Sequence, residues 1–197
     1  MKKLFLMALL AVSVLSCANR AKTAAGDAVA DSTAVAEPTE PQGNNVLIAF
    51  FSATGTTRAV AEKMVHSFEA DLYEIIPAEP YSEADLDWRN AKSRSSVEMK
   101  DAKARPVLGN SNIRVSKYEL VYLGYPIWWG VAPRIINSFI ESQQWDSVRV
   151  IPFATSGGSP VEPSVEALRK SYPEIRFEDG ILLNNVREDG LCGEIEE

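Results

Sequence analysis

The chain has 197 residues, 46% of them apolar, with 20 basic against 27 acidic side chains for a net charge of −7. At roughly 150 residues to a domain this is one soluble domain with extra chain attached, too apolar to be a disordered acidic solubiliser. The negative balance argues against a nucleic-acid ligand, whose phosphates must be neutralised. Two cysteines and one histidine exclude a four-cysteine zinc site and any two-histidine set, so no metal is expected.

Lys2 and Lys3 precede an apolar stretch over residues 4–15. It is too short for an ordinary membrane span but suits the hydrophobic region of a secretory signal. The junction Val14-Leu15-Ser16-Cys17 resembles the lipobox of bacterial lipoproteins. That resemblance implies a signal peptide over residues 1–16, cleaved before Cys17, and acylation of Cys17. The expected product is exported and lipid-anchored to a bacterial membrane, facing the periplasm; a plain signal peptide with an incidental cysteine is the alternative. Each buried CH₂ of an acyl chain contributes about 0.8 kcal/mol, so two or three chains anchor stably. Residues 17–45 are rich in Ala, Thr, Asp, Glu and Pro, with no aromatic residue and no apolar period. They read as a flexible linker holding a domain over residues 46–197 on the order of 30 Å from the lipid.

Val46-Leu47-Ile48-Ala49-Phe50-Phe51 is continuously apolar, the mark of a central parallel strand buried on both faces. After a small polar loop over residues 52–57, Val60, Ala61, Met64, Val65 and Phe68 form one stripe of a helix, with His66 on its solvent face. Residues 71–76 read as an edge strand stopped by Pro77 and Pro80. Residues 81–117 are polar and irregular, with a weak helix over 91–100. Leu120-Val121-Tyr122-Leu123-Gly124 is the next buried strand, ending at Tyr125-Pro126. A helix follows with Pro133 in its first turn and Ile135, Ile136, Phe139 and Ile140 facing the core. Residues 148–154 form another strand, Pro163 opens a helix carrying Val165 and Leu168, and residues 175–183 hold a last, interrupted strand. Strands alternating with helices predict right-handed βαβ units and a parallel sheet.

In such a sheet ligands bind at the carboxyl ends of the strands, and three loops there are informative. Ser52-Ala53-Thr54-Gly55-Thr56-Thr57 places hydroxyls and backbone N–H groups at a helix N-terminus, which suits a phosphate or simply caps the helix. It has neither the lysine of an ATPase phosphate loop nor the GxGxxG spacing. Tyr125-Pro126-Ile127-Trp128-Trp129-Gly130 carries adjacent tryptophans that cannot both enter the sheet; at least one suits a flat ligand in a cleft, or else an interface or core contact. Thr155-Ser156-Gly157-Gly158-Ser159-Pro160 lets backbone approach a ligand and offers N–H donors, or is a tight turn. No G-x-S-x-G elbow supports a serine hydrolase.

Phe51-Ser52-Ala53-Thr54-Gly55-Thr56-Thr57 resembles the FMN-phosphate loop of flavodoxins, and the other two loops are similar to those holding the flavin ring in a flavodoxin-like subfamily. Tyr81, Leu86-Asp87-Trp88, Ser93-Arg94-Ser95, Glu98 and Arg105-Pro106 agree with it as well. The resemblance implies a flavodoxin-like α/β fold, a doubly wound five-stranded parallel sheet of order 2-1-3-4-5. It assigns Ser52, Thr54, Gly55, Thr56 and Thr57 to the FMN phosphate. Pro126, Ile127, Trp128, Trp129 and Gly130 fall on one side of the flavin ring, Thr155, Ser156, Gly157 and Gly158 on its other edge, and Trp88 over the ring. It implies no catalytic side chain, because the flavin carries the chemistry. The expected function is an FMN-binding electron carrier or small oxidoreductase at a bacterial membrane, served by a redox partner protein or a quinone, with a homodimer possible. The alternatives are an NAD(P)H-dependent quinone or flavin reductase and a non-redox binding lipoprotein. One departure from the family stands out. Val186-Arg187-Glu188-Asp189-Gly190-Leu191-Cys192-Gly193 has no apolar stripe where a terminal helix belongs, which predicts a bare apolar sheet face.

Overall fold

The computed structural model describes residues 45–184. The signal, Cys17, most of the linker and the stretch 186–193 lie outside the described residues. In chain order the elements are β1 (Val46–Phe50), α1 (Thr56–Ser67), β2 (Asp71–Glu74), α2 (Arg94–Lys100), a 3₁₀ turn (Val115–Lys117), β3 (Leu120–Pro126), α3 (Arg134–Glu141), β4 (Arg149–Thr155), α4 (Glu162–Ser171), β5 (Arg176–Phe177) and β6 (Ile181–Leu182). All pairings are parallel, in the order β2-β1-β3-β4, with β5 and β6 both on the outer edge of β4. The sheet is therefore the expected 2-1-3-4-5, its fifth strand broken in two.

At the break the chain passes close to α4. A Cβ at Gly180 would lie 2.6 Å from Val165 Cγ2 and 2.9 Å from Val161 Cγ2, so the chain between β5 and β6 runs hard against α4. Ladder bonds resume on either side, from the Glu178 amide to the Val150 carbonyl and from Leu183 to Ala154.

Side chains alternate between two buried faces, which is why the central strands read as unbroken apolar runs. Leu47, Ala49, Val121, Leu123 and Val150 pack under Ile135, Ile136 and Phe139 of α3 and Val165 and Leu168 of α4. Ile48, Phe50, Tyr122 and Phe153 pack with Val60, Ala61 and Met64 of α1. The predicted bare apolar face is not found among the described residues: Ile48, Phe50, Tyr122 and Phe153 are all buried. Phe68 stacks on Tyr122 with ring centroids 5.4 Å apart. The Phe153 ring lies so close over Gly124 that a Cβ there would meet its Cζ at 2.1 Å.

Several boundaries differ from the sequence reading. The helix expected over 91–100 begins at Arg94, because the Ser93 side chain accepts the Ser96 amide and caps it there. Pro133 stands at the N-cap of α3. The strand expected over 71–76 ends at Glu74, where Asn110 takes over the outer edge. Asn110 Nδ2 donates to the Glu74 carbonyl at 2.7 Å and its Oδ1 accepts the Ile76 amide at 3.1 Å. One side chain thus supplies what a further strand would, closing part of an exposed edge.

Residues 77–117 are ordered by specific contacts rather than by a periodic pattern. The Ala78 amide donates to Val107 and the Gly109 amide to Ile76, forming a short antiparallel contact. Arg105 grips Glu141 of α3 with two bonds of 2.8 and 2.7 Å. This bidentate pair holds the Glu141 carboxyl below the usual carboxylate range, the Arg105 bond contributing most and the Tyr172 hydroxyl adding to it. Tyr81 donates to Glu98, whose other oxygen accepts Arg94 Nε at 2.7 Å, and the Arg94 guanidinium lies 4.1 Å over the Tyr81 ring. Burial, then the bond to Glu98, raises the Tyr81 phenol well above its ordinary value.

Candidate functional site

Two adjoining clefts open where β1, β3, β4 and β6 terminate, with volumes of about 590 and 480 Å³. They share a wall made of Thr54, Pro126, Ile127, Trp128 and Gly157. The larger extends over Thr56, Thr155, Ser156, Gly158 and Asn184; the smaller runs under the 77–117 excursion to Leu86, Trp88, Ser95 and Trp129. Among the described residues no charged side chain lines either cleft.

The first loop takes its shape from Gly55, which sits at φ 89° as the N-cap of α1 and donates its amide to Ser52 Oγ at 3.1 Å. A left-handed residue here turns the chain from strand to helix within a few residues, and glycine adopts it without the Cβ penalty. The first turn of α1 then presents backbone N–H groups that have no intrahelical acceptor. Thr54 and Thr56 are exposed, their hydroxyls 3.3 Å apart. Thr57 is different. It is 1% exposed and its hydroxyl lies 2.9 Å from that of Thr155, joining the first loop to the third. Two hydroxyls in one hydrogen bond use one proton between them, which leaves the pair a second proton to donate.

The second loop is a two-residue hairpin. Trp128 and Val131 exchange both backbone hydrogen bonds, at 2.9 and 3.1 Å. Trp129 at φ 48° and Gly130 at φ 80° occupy the two central positions, as a type I′ turn requires. For tryptophan the left-handed conformation costs about 1–2 kcal/mol. The two indoles separate accordingly. Trp128 meets Phe51 and Tyr81 edge-on, with centroids 5.7 and 5.4 Å away, while Trp129 remains 53% exposed at the turn.

The third loop spends much of its hydrogen-bonding capacity on itself. Ser156 Oγ accepts the amides of Gly158 and Ser159 at 3.1 and 2.7 Å, and the Ser156 amide donates to Asn184 Oδ1 at 2.8 Å. The amides expected to face a ligand are in part turned inward; Gly157, which lines both clefts, keeps its amide outside these bonds.

Of the residues singled out in the sequence, Thr54, Thr56, Trp88, Pro126, Ile127, Trp128, Trp129, Thr155, Ser156, Gly157 and Gly158 line the clefts. Ser52, Gly55, Thr57 and Gly130 are not among the lining residues but shape the loops that carry them. Sequence reasoning missed Ala53, Leu86, Ser95 and Asn184 as lining residues. Asn184 carried a usable signal, being the first polar residue after the last strand. Leu86 and Ser95 stood among the residues that carry the resemblance but were given no place at the site, since that place depends on how the excursion folds back. Among the described residues there is no group of side chains able to hold a metal ion, and no helix long and apolar enough to cross a membrane.

Residues 45–196 match the family model for flavodoxin. No curated protein matches the chain. Among solved structures, a protein of Bacteroides eggerthii DSM 20697 classed as a flavoprotein is 49% identical over 75% of this chain and 93% of its own, with a TM-score of 0.73. One of Bacteroides uniformis ATCC 8492, classed likewise, is 44% identical over 79% and 100%, with a TM-score of 0.76. A flavoprotein of Lactobacillus acidophilus NCFM, solved in complex with FMN, is 20% identical over 76% and 97% with a TM-score of 0.59, a likeness of fold. With the 2-1-3-4-5 order and the cleft at its strand ends, the match across the whole described region makes this chain a member of the flavodoxin family.

Proposed function

We propose that the chain binds FMN in the strand-end cleft and acts as an electron carrier or small oxidoreductase, tethered to a membrane through Cys17. The carrying observation is the division of the cleft walls. Hydroxyls of Thr56, Thr155 and Ser156 line the larger cleft and indoles of Trp88 and Trp129 the smaller, with Thr54 and Trp128 on the wall between them and no charged side chain in either among the described residues.

These residues fit the group. Thr54, Thr56 and the first-turn amides of α1 are donors suited to the phosphate, and the space around Gly55 is open, with nothing within 4 Å of an added Cβ. Pro126, Ile127 and Trp128 give an apolar wall against which the ring lies, and the volumes fall in the range usual for ligand sites. Bound there, FMN supplies one- or two-electron transfer. The protein positions it and excludes water on the Trp128 side. The Thr57–Thr155 pair keeps one hydroxyl proton for donation, and among the described residues no carboxylate, histidine or lysine lines the clefts to exchange protons with a substrate. The FMN complex of the Lactobacillus flavoprotein supports the choice of cofactor, and Val14-Leu15-Ser16-Cys17 supports the tether.

Adding FMN to the purified protein tests the reading. A perturbed flavin absorption band with saturable quenching of tryptophan fluorescence is the expected result. Unchanged spectra at high FMN would overturn it.

A further inference from the structure

Resting on that reading for its consequence at the flavin, we infer that Tyr81 is a positioning residue: clamped by Glu98 and Arg94 of α2, it fixes the Trp128 indole that walls the cofactor cleft.

Trp128 lines both clefts, and two rings meet it edge-on, Phe51 and Tyr81. They are held in different ways. Phe51 prolongs β1: its amide donates to the Gly124 carbonyl at 2.9 Å and its side chain is buried. The sheet therefore fixes that ring. Tyr81 belongs to the excursion, in a stretch with neither strand nor helix to carry it.

Side chains of α2 supply what the backbone does not. The Tyr81 hydroxyl donates to Glu98 Oε2, the other oxygen of that carboxylate accepts Arg94 Nε at 2.7 Å, and the Arg94 guanidinium carbon lies 4.1 Å from the ring centroid. Arg94 is tied down in turn, its Nη1 donating to the Glu79 carbonyl at 2.8 Å. The Arg94 and Glu98 side chains are 23% and 14% exposed, so the pair is sheltered from the water that weakens surface pairs. Burial and the bond to Glu98 keep the phenol protonated, and hence a donor. With Phe51 and Tyr81 also in contact, at 5.8 Å, each of the three rings touches the other two.

The consequence falls on binding. An indole already held against the ring's position adds no ordering cost when the ligand arrives, whereas one that must first be immobilised lowers affinity. Tyr81 and Glu98 are not among the lining residues of either cleft, so they act on the cofactor only through Trp128.

Two measurements on the full chain test this, the first without flavin. Acrylamide quenching of tryptophan fluorescence should rise in Tyr81→Phe, which deletes the hydroxyl and keeps the ring, and in Glu98→Ala. Glu98→Gln retains an acceptor and should stay at the parent value. In a Trp128→Leu background, Tyr81→Phe should change nothing. The second measurement adds FMN. Tyr81→Phe should weaken it about two- to tenfold and alter the visible circular dichroism of the bound flavin. The double variant with Trp128→Leu should bind no worse than Trp128→Leu alone, whereas a role confined to the stability of the excursion would give additive losses. The inference is overturned if quenching, FMN affinity or flavin dichroism in Tyr81→Phe matches the parent. It is equally overturned if the Tyr81→Phe loss persists in full beside Trp128→Leu, or if Glu98→Gln fails as Glu98→Ala does. A protein that takes no FMN at all fails at the cofactor reading, and the quenching series still decides whether Tyr81 holds Trp128.

Discussion

The two sides of the cleft are built on different principles. The strand-end side is an extension of the sheet: Ser156 is tied to Asn184 and Ile127 to the Thr155 carbonyl, each across neighbouring strands, and Thr57 of α1 reaches Thr155 past the end of β3. The facing side is an excursion of the chain over residues 77–117, held by a few polar clamps such as Arg105–Glu141 and Arg94–Glu98, with Trp88 left exposed. On the proposed reading, the ligand's anionic end meets the side tied by hydrogen bonds between strand ends, and its apolar end meets the side held by a few polar clamps. Precision is invested where hydrogen bonds are directional, and tolerance where contacts are apolar and non-directional.

Substitutions on each side should expose this difference. The largest effect is expected at Gly124→Ala. Its methyl would collide with the Phe153 ring, and because that ring is packed in the core the sheet must distort. A loss of about 3 kcal/mol or more in urea-induced unfolding is expected; a loss below 1 kcal/mol would show that the strand ends are less rigid than drawn. Next, Thr54→Val combined with Thr57→Val should weaken FMN binding by about 2–3 kcal/mol, roughly 30- to 150-fold, as donors to an anion and the tie to Thr155 are lost together. Fluorescence titration measures it, and unchanged affinity would place the phosphate elsewhere.

On the excursion side, Arg105→Ala should cost about 1 kcal/mol or less, as suits a partly exposed pair, and should raise amide exchange in the excursion while leaving that of β1 and β3 unchanged. Its pH dependence has a definite sign. The folded-state pKa of Glu141 is depressed, so the pair's contribution is present above the unfolded carboxylate pKa and is lost as pH falls through the folded value. Parent and variant should therefore converge in stability in acid. Smallest of all, Gly130→Ala meets open space, so only its φ of 80° resists, at about 1 kcal/mol.

Much of this architecture was legible beforehand, for identifiable reasons. A residue run such as Val46 to Phe50 admits few readings, since only a strand covered on both faces buries every side chain, and the order of strands and helices then follows from crossover handedness. The loops over 52–57 and 155–160 were found because polar and glycine residues directly after such strands must lie at the sheet's end. The bare face expected near the C-terminus is not found, since Ile48, Phe50, Tyr122 and Phe153 are buried and Phe68 stacks on Tyr122. The excursion resisted reading because its order comes from isolated side-chain pairs separated by many residues, such as Arg105 with Glu141, and no local period encodes them.

Composition and pattern alone therefore determined a parallel α/β sheet with its loops at one end, because burial of a strand or helix face is a local, periodic demand on the chain. Only the tertiary structure decided which of two adjacent tryptophans packs against the core, that Thr57 faces Thr155 rather than solvent, and that Ser95 reaches the cleft. Each of those outcomes depends on what a distant segment brings alongside, and distance through space is not written in spacing along the chain.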